Sequence, residues 1–304
     1  MSVVAVTRAT ILAVAAVLTA CVPPAAPPAV TVPAAPPAAV ARPAALPPPP
    51  ALVTAADFGL PAMARQGDLL RGTAPVGTVR LMLDGDAVPL APDRRFVIAF
   101  DRDAPAKSVL SATLSDGSTR IVTLAVAPRG WSIQRLATLA RIPVPSADFA
   151  ARRPAELARI AAARATVTDA QGWRGPFVWP ATGRISGVFG SQRIYRGEPG
   201  AYHSGVDVAR PSGTPVVAPA DGVVVLAAAT PFTLEGRLLI LDHGHGLSSA
   251  FLHLSRIDVA SGQHVRRGET IGAIGATGRA TGPHLHWGVT WLGRRIDPAL
   301  LPEG

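Results

Sequence analysis

Glycine and proline interrupt this chain too often for a largely helical fold: they account for 29 and 31 of its 304 residues. Glycine loses conformational entropy in a regular element and proline lacks a donor N–H, so both collect at turns. The stretches between them are short and rich in Val, Ile and Leu, which suits strands. In the last third, segments 222–226, 237–241, 248–253, 270–274 and 285–290 alternate with glycine turns. That pattern predicts an antiparallel β-domain over residues 181–304. Segments 77–83, 96–100, 111–114 and 120–126 form an earlier set, with Asp84-Gly85 and Asp116-Gly117 at hairpin positions. A small β-sandwich over 51–145 is expected, the immunoglobulin-like arrangement being one form it could take. The chain is therefore mainly β.

Between the two β-rich parts, residues 146–180 read as a helical connector. Asp148 to Asp169 is rich in Ala and Arg, with Leu157, Ile160 and Ala161 at helical spacing. Pro154 would suit the first turn, and the arginines a solvated face. Residues 21–50 are nearly all Ala, Pro and Val, a composition that buries no core and extends as a polyproline-like tether. About 29 residues at about 3.1 Å each would reach up to about 90 Å.

Ahead of the tether, Arg8 precedes an apolar run from Ile11 to Leu18, and Leu18-Thr19-Ala20 leads into Cys21, the only cysteine. One cysteine excludes an intrachain disulfide. Residues 1–20 resemble a bacterial lipoprotein signal peptide, which implies cleavage before Cys21 and its lipidation. The apolar run is too short to span a bilayer comfortably. The expected location is the cell envelope, on the periplasmic side of a membrane. Val22 after the cysteine is not the aspartate that retains some lipoproteins at the inner membrane, which favours the outer one.

The formal charge is +9. A basic balance suits nucleic acid, anionic lipid or an acidic polymer such as a cell-wall glycan. No helix-turn-helix, zinc-finger or aromatic-plus-basic strand motif accompanies it, so nucleic acid is not an expected partner.

Chemistry concentrates in His203-Ser-Gly-Val-Asp207 and His284-Leu-His286; no histidine precedes residue 203. On a strand, His284 and His286 leave the same face. With His203 and Asp207 they offer three imidazoles and a carboxylate, ligand types that Zn²⁺ takes in catalytic sites with an open position. Asp242-His243-Gly244-His245-Gly246 repeats the H-x-H spacing, but its glycines describe an exposed hairpin tip, a poor place to hold ligands. Gly272 to Gly278 lacks the phosphate-loop spacing, and its glycines suit tight turns and close approach to a bound peptide. His264, beside Arg266 and Arg267, reads as a surface residue. His253, alone on an apolar strand, would by itself more often be a core residue than a catalytic one.

The ordered series Ile185-Ser-Gly-Val-Phe-Gly190, His203 to Asp207, Gly213 to Gly222, Phe251-Leu-His253-Leu-Ser255, Gly275 to Gly282 and Pro283-His284-Leu-His286 resembles the lysostaphin-type, or LytM-domain, zinc metallopeptidases. The resemblance runs from Gly183 to Pro298. It implies a β-sheet domain of the duplicated-hybrid-motif type, with one zinc ion per chain held by His203, Asp207 and His286. It also makes His253 and His284 the two active-site histidines that do not bind metal, one able to take a water proton and the other to stabilise the oxyanion or leaving amine. Phe251 stands where the family often has Tyr, and Gly288 where it often has an acid. The implied activity is endopeptidase cleavage of peptidoglycan cross-links. The alternative is a degenerate, non-catalytic LytM protein that activates a partner cell-wall hydrolase, and the complete ligand set argues against it.

Overall fold

The computed structural model describes residues 49–137 and 146–302. The lipoprotein-like leader, Cys21 and nearly all of the Ala/Pro tether lie outside the described residues. No described helix is long and apolar enough to cross a membrane.

The protein is mainly β, as composition demands. Its first part is a six-stranded sheet in which Thr119–Ala127, Lys107–Leu114 and Thr78–Leu83 lie side by side, joined by a two-stranded pair of Leu69–Thr73 with Arg95–Ala99. Asp84 and Gly85 both have positive φ, 54° and 89°, the turn chemistry a two-residue hairpin requires. Inward-facing Leu81, Leu83, Ile98 and Leu110 pack with Phe58 and Phe96 at 0–1% exposure.

The second part is built on an eight-stranded antiparallel sheet. Its strands run in the order Arg184–Gly187, Val206–Ala209, His284–Trp291, Leu247–Leu254, Arg237–Asp242, Gly222–Ala227 and His264–Val265, with Arg294–Ile296 also on His284–Trp291. Strand alternation divides its faces. Val206, Val208, Leu285, Trp287 and Phe251 are buried on one face, while Asp207, His284 and His286 face the other way.

The two parts share one continuous apolar core and many polar ties. Arg71 donates to the carbonyls of Trp173 and Gly175 at 2.7 Å each, and Arg129 pairs with Asp297 at 2.9 Å. Ile133–Leu136 pairs in parallel with Gln192–Tyr195, near the loop that leads to His203.

The one α-helix among the described residues, Ala147–Ala165, starts one residue before the expected span and ends well short of Asp169. Ser146 caps it, its hydroxyl accepting the Phe149 N–H at 3.1 Å. Pro154 therefore sits in the helix interior and not in its first turn. Arg152, Arg159 and Arg164 are exposed, as a solvated face requires, and Arg153 is the one that departs from that expectation. Arg153 makes a two-pronged ion pair with Glu235 at 2.6 and 2.8 Å, and Arg152 donates to the Pro231 carbonyl at 3.0 Å. Spacing alone cannot show that a loop distant in sequence supplies partners for this face.

Candidate metal centre

Antiparallel register assembles the candidate site. Asp207 pairs with His286 and Ala209 with His284, so the carboxylate and two imidazoles share a face of adjacent strands. His203 reaches them from the loop ahead of Val206–Ala209. His203 Nε2, Asp207 Oδ1 and His286 Nδ1 lie 2.8–3.1 Å from one another. Ligand atoms at about 2.0–2.2 Å around a tetrahedral ion stand about 3.3 Å apart, so this trio is gathered to within a few tenths of an ångström of that spacing. Among the described residues it is the one His/Cys/Asp/Glu group so arranged.

Outer contacts prepare the trio for a cation. His203 Nδ1 donates to the Val188 carbonyl at 3.1 Å, so that Nε2, which donates to Asp207 in the absence of a cation, is the nitrogen that would offer its lone pair to one. Burial would raise the Asp207 carboxyl, but hydrogen bonds from His203 and His286 outweigh that and hold it well below the usual carboxylate range. Burial likewise opposes a proton on His203, while Asp207 more than compensates and lifts the ring above its ordinary value. Burial depresses His286. Gly187 allows the close fit: a Cβ there would stand 2.3 Å from Asp207 Oδ2.

His284 and His253 stand beside the trio. Their rings are 4.8 Å apart, and His253 is 6.4 Å from His286. His284 Nδ1 donates to the Gly282 carbonyl at 2.8 Å, and its Nε2 is 3.9 Å from Asp207 Oδ1. His253 Nδ1 donates to the Thr277 carbonyl at 2.8 Å. Burial pushes the His253 ring down to about 4, so it is neutral near pH 7.

His253 reaches the site by a route that alternation does not foretell. Phe251 pairs with Trp287 and is fully buried behind the sheet, and an unbroken strand would send His253 the same way. Instead the pairing with Arg237–Asp242 slips between Arg237 and Leu239, and His253 takes φ 63°. A bulge of this kind re-aims a side chain.

The second H-x-H segment is not the exposed tip expected of it. Thr168 hydrogen-bonds Asp242 at 2.5 Å, and Trp173 stacks on His245 at 4.0 Å, so residues 168–173 cover the turn. His243 is fully buried with both nitrogens engaged, by the Asp221 carbonyl and by Ser249 Oγ at 2.8 Å each. Neither His243 nor His245 joins the candidate trio. His264 is exposed, as anticipated. The glycines of 272–278 admit the protein's own backbone: a Cβ on Gly275 would meet Ser255 N at 2.4 Å, and one on Gly278 would meet Gly236 N at 2.3 Å. Phe251 lies behind the sheet, away from the trio, while a Cβ on Gly288 would make ordinary contact with the Ser204 carbonyl at 3.4 Å and His286 Nε2 at 3.6 Å.

Residues 201–298 match Peptidase family M23. The chain is 43% identical over 115 residues to peptidoglycan DD-endopeptidase ShyA of Vibrio cholerae serotype O1, covering 38% of this chain and 26% of ShyA. It is 40% identical over 119 residues to the DD-carboxypeptidase/endopeptidase Mpg of Neisseria meningitidis serogroup B, covering 38% and 26%. It thus spans about a quarter of the length of these relatives. A Pseudomonas aeruginosa crystal structure assigned to peptidase M23 superposes with a TM-score of 0.59 at 30% identity, over 78% of this chain and 93% of that one. Agreement along nearly the whole of that structure, on a sheet that gathers two histidines and an aspartate, places the chain in peptidase family M23.

Proposed function

We propose that the protein is a zinc-dependent endopeptidase that hydrolyses peptide cross-links of bacterial peptidoglycan. The observation that carries this is a gathered trio of two histidines and an aspartate, flanked by the imidazoles of His253 and His284 outside it. His203, Asp207 and His286 would hold the ion. Zinc, when bound, supplies Lewis-acid activation of water and of the scissile carbonyl near neutral pH. The protein's own groups do the rest. His253, neutral and with Nδ1 committed to Thr277, keeps a lone pair on Nε2 to accept the proton of the attacking water. His284, oriented by the Gly282 carbonyl, presents Nε2 toward the reacting carbonyl and, when protonated, donates to the oxyanion or leaving amine.

The name of ShyA supports peptidoglycan as substrate, and the names of ShyA and Mpg together support a DD-peptide bond as the one cleaved. The net charge of +9 suits an anionic polymer. The non-catalytic activator is the weaker alternative, because nothing in the trio is replaced. Purified sacculi digested by the full-length protein, with mass analysis of the released muropeptides, test the proposal. Cross-linked dimers should fall to monomers, and a chelator should stop the reaction. Intact dimers with metal present, together with stimulation of a second hydrolase, would favour the activator.

We place the protein at the periplasmic side of the outer membrane, anchored through lipid on Cys21. Metabolic labelling with a fatty-acid probe should mark the wild-type chain and leave Cys21→Ser unlabelled; equal labelling of both removes the anchor from the account.

A further inference from the structure

His253 occupies a backbone conformation that a side chain bearing Cβ rarely adopts, at φ 63°. Such a residue is strained and persists only where its surroundings over-determine it. Two carbonyls do so here. The His253 N–H donates to the Glu235 carbonyl at 2.8 Å, and its ring Nδ1 donates to the Thr277 carbonyl at 2.8 Å. Both acceptors belong to one packed unit. The Arg237 N–H donates to Thr277 Oγ1 at 2.9 Å, Arg279 N–H donates to the Leu234 carbonyl at 3.0 Å, and the Gly278 backbone lies directly against Gly236. The 231–236 turn therefore supports His253 twice, through the bond to its backbone and through the segment that orients its ring.

That turn is held from outside the sheet. Glu235 is 8% exposed and its carboxylate is bound in two-pronged fashion by Arg153 of the helix. One turn along, Glu156, 6% exposed, accepts from the Thr233 N–H at 2.8 Å and its hydroxyl at 2.5 Å. The helix rests on Leu226, Phe232, Leu238, Ile240 and Ala250 through Ile160 and Ala163. A carboxylate buried to this degree without its partner carries a large desolvation cost, so the turn depends on the arginine.

We infer that Arg153 and Glu235 are positioning residues for His253, and that this ion pair, rather than the packing of the helix as a whole, is part of the catalytic framework. The chain of contacts runs from the Arg153 guanidinium to the Glu235 carboxylate, from the Glu235 carbonyl to the His253 N–H, and so to the bulge that turns the imidazole onto the face of the metal trio. The catalytic consequence rests on the peptidase function proposed above; the structural coupling does not.

The test compares Arg153→Ala, Arg153→Lys and Ile160→Ala in the full-length protein. Hydrogen exchange at the His253 amide reads the coupling directly. Protection there should drop at least about tenfold in Arg153→Ala, with the central amides of Arg237–Asp242 unchanged. On a purified cross-linked muropeptide dimer, kcat should fall roughly 10- to 100-fold, with KM within about threefold and one zinc per chain retained. Arg153→Lys, which keeps the charge but not the fork, should recover part of both. Ile160→Ala loosens the helix packing without touching the ion pair and should lower Tm while leaving kcat unchanged. Unaltered His253 protection in Arg153→Ala, or an equal loss of kcat in Ile160→Ala, overturns the inference. If Arg153→Ala does not fold, the lysine variant carries the same comparison. A wild type inactive on the dimer would remove the peptidase function, while the exchange result would still decide the coupling.

Discussion

Acid should destabilise this protein through one buried histidine that takes no part in the metal site. His243 is fully buried, and its two nitrogens define its state. Nδ1 must donate to the Asp221 carbonyl, which leaves Nε2 to accept from the Ser249 hydroxyl; that oxygen in turn accepts the Trp287 indole N–H at 3.3 Å. The bond that Nε2 accepts requires a neutral ring. Burial pushes the folded value from 6.5 down to about 4. Because the folded value lies below the unfolded one, the stabilisation is fully present above pH 6.5 and is lost as pH falls through about 4. At about 1.4 kcal/mol per tenfold difference in proton affinity, the gap is worth about 3 kcal/mol, a large share of a typical folding free energy. His243→Phe removes the titrating group. Near pH 7.5 it should cost about 2 kcal/mol, from two hydrogen bonds at roughly 1 kcal/mol each. Urea unfolding of both proteins at several pH values between 7.5 and 4 isolates His243, since the other titrating groups are common to both. The curves should converge as pH falls. Parallel loss of stability in the two proteins would refute the reasoning.

Further outcomes follow from the site. His203→Ala and Asp207→Ala should each lose bound metal and muropeptide hydrolysis together, as metal analysis and sacculus digestion will show. His284→Ala should keep one equivalent of metal and lose turnover; a near-native rate would remove it from the mechanism. Gly187→Ala puts a methyl against Asp207 Oδ2 and should weaken metal retention at least about tenfold in a chelator competition, because ligand geometry tolerates little displacement.

Much of this site was legible in the sequence because its geometry is local. His284 and His286 share a strand, and a period of two sets their common face whatever the tertiary structure does. Asp84-Gly85 likewise announced its hairpin, since few residues accept two positive φ angles. What escaped depends on long-range packing. The turn at Asp242–Gly246 has the composition of an exposed tip, and only the covering segment from Thr168 to Trp173 makes it a buried polar network. His253 sits on an apolar strand and reaches the site through a register slip that has no signature in residue type. Arg153 read as solvated like the other helix arginines because Glu235, about eighty residues on, gives no sign in the sequence that it lies opposite it.

Anomalous diffraction at the zinc edge, from crystals of the protein supplied with zinc, tests the central claim most directly. The account predicts one peak per chain within about 2.0–2.2 Å of His203 Nε2, Asp207 Oδ1 and His286 Nδ1, with His253 and His284 beside it and not bonded. A peak ligated by His253 or His284 in place of any of those three, or no peak among them at saturating zinc, would contradict it.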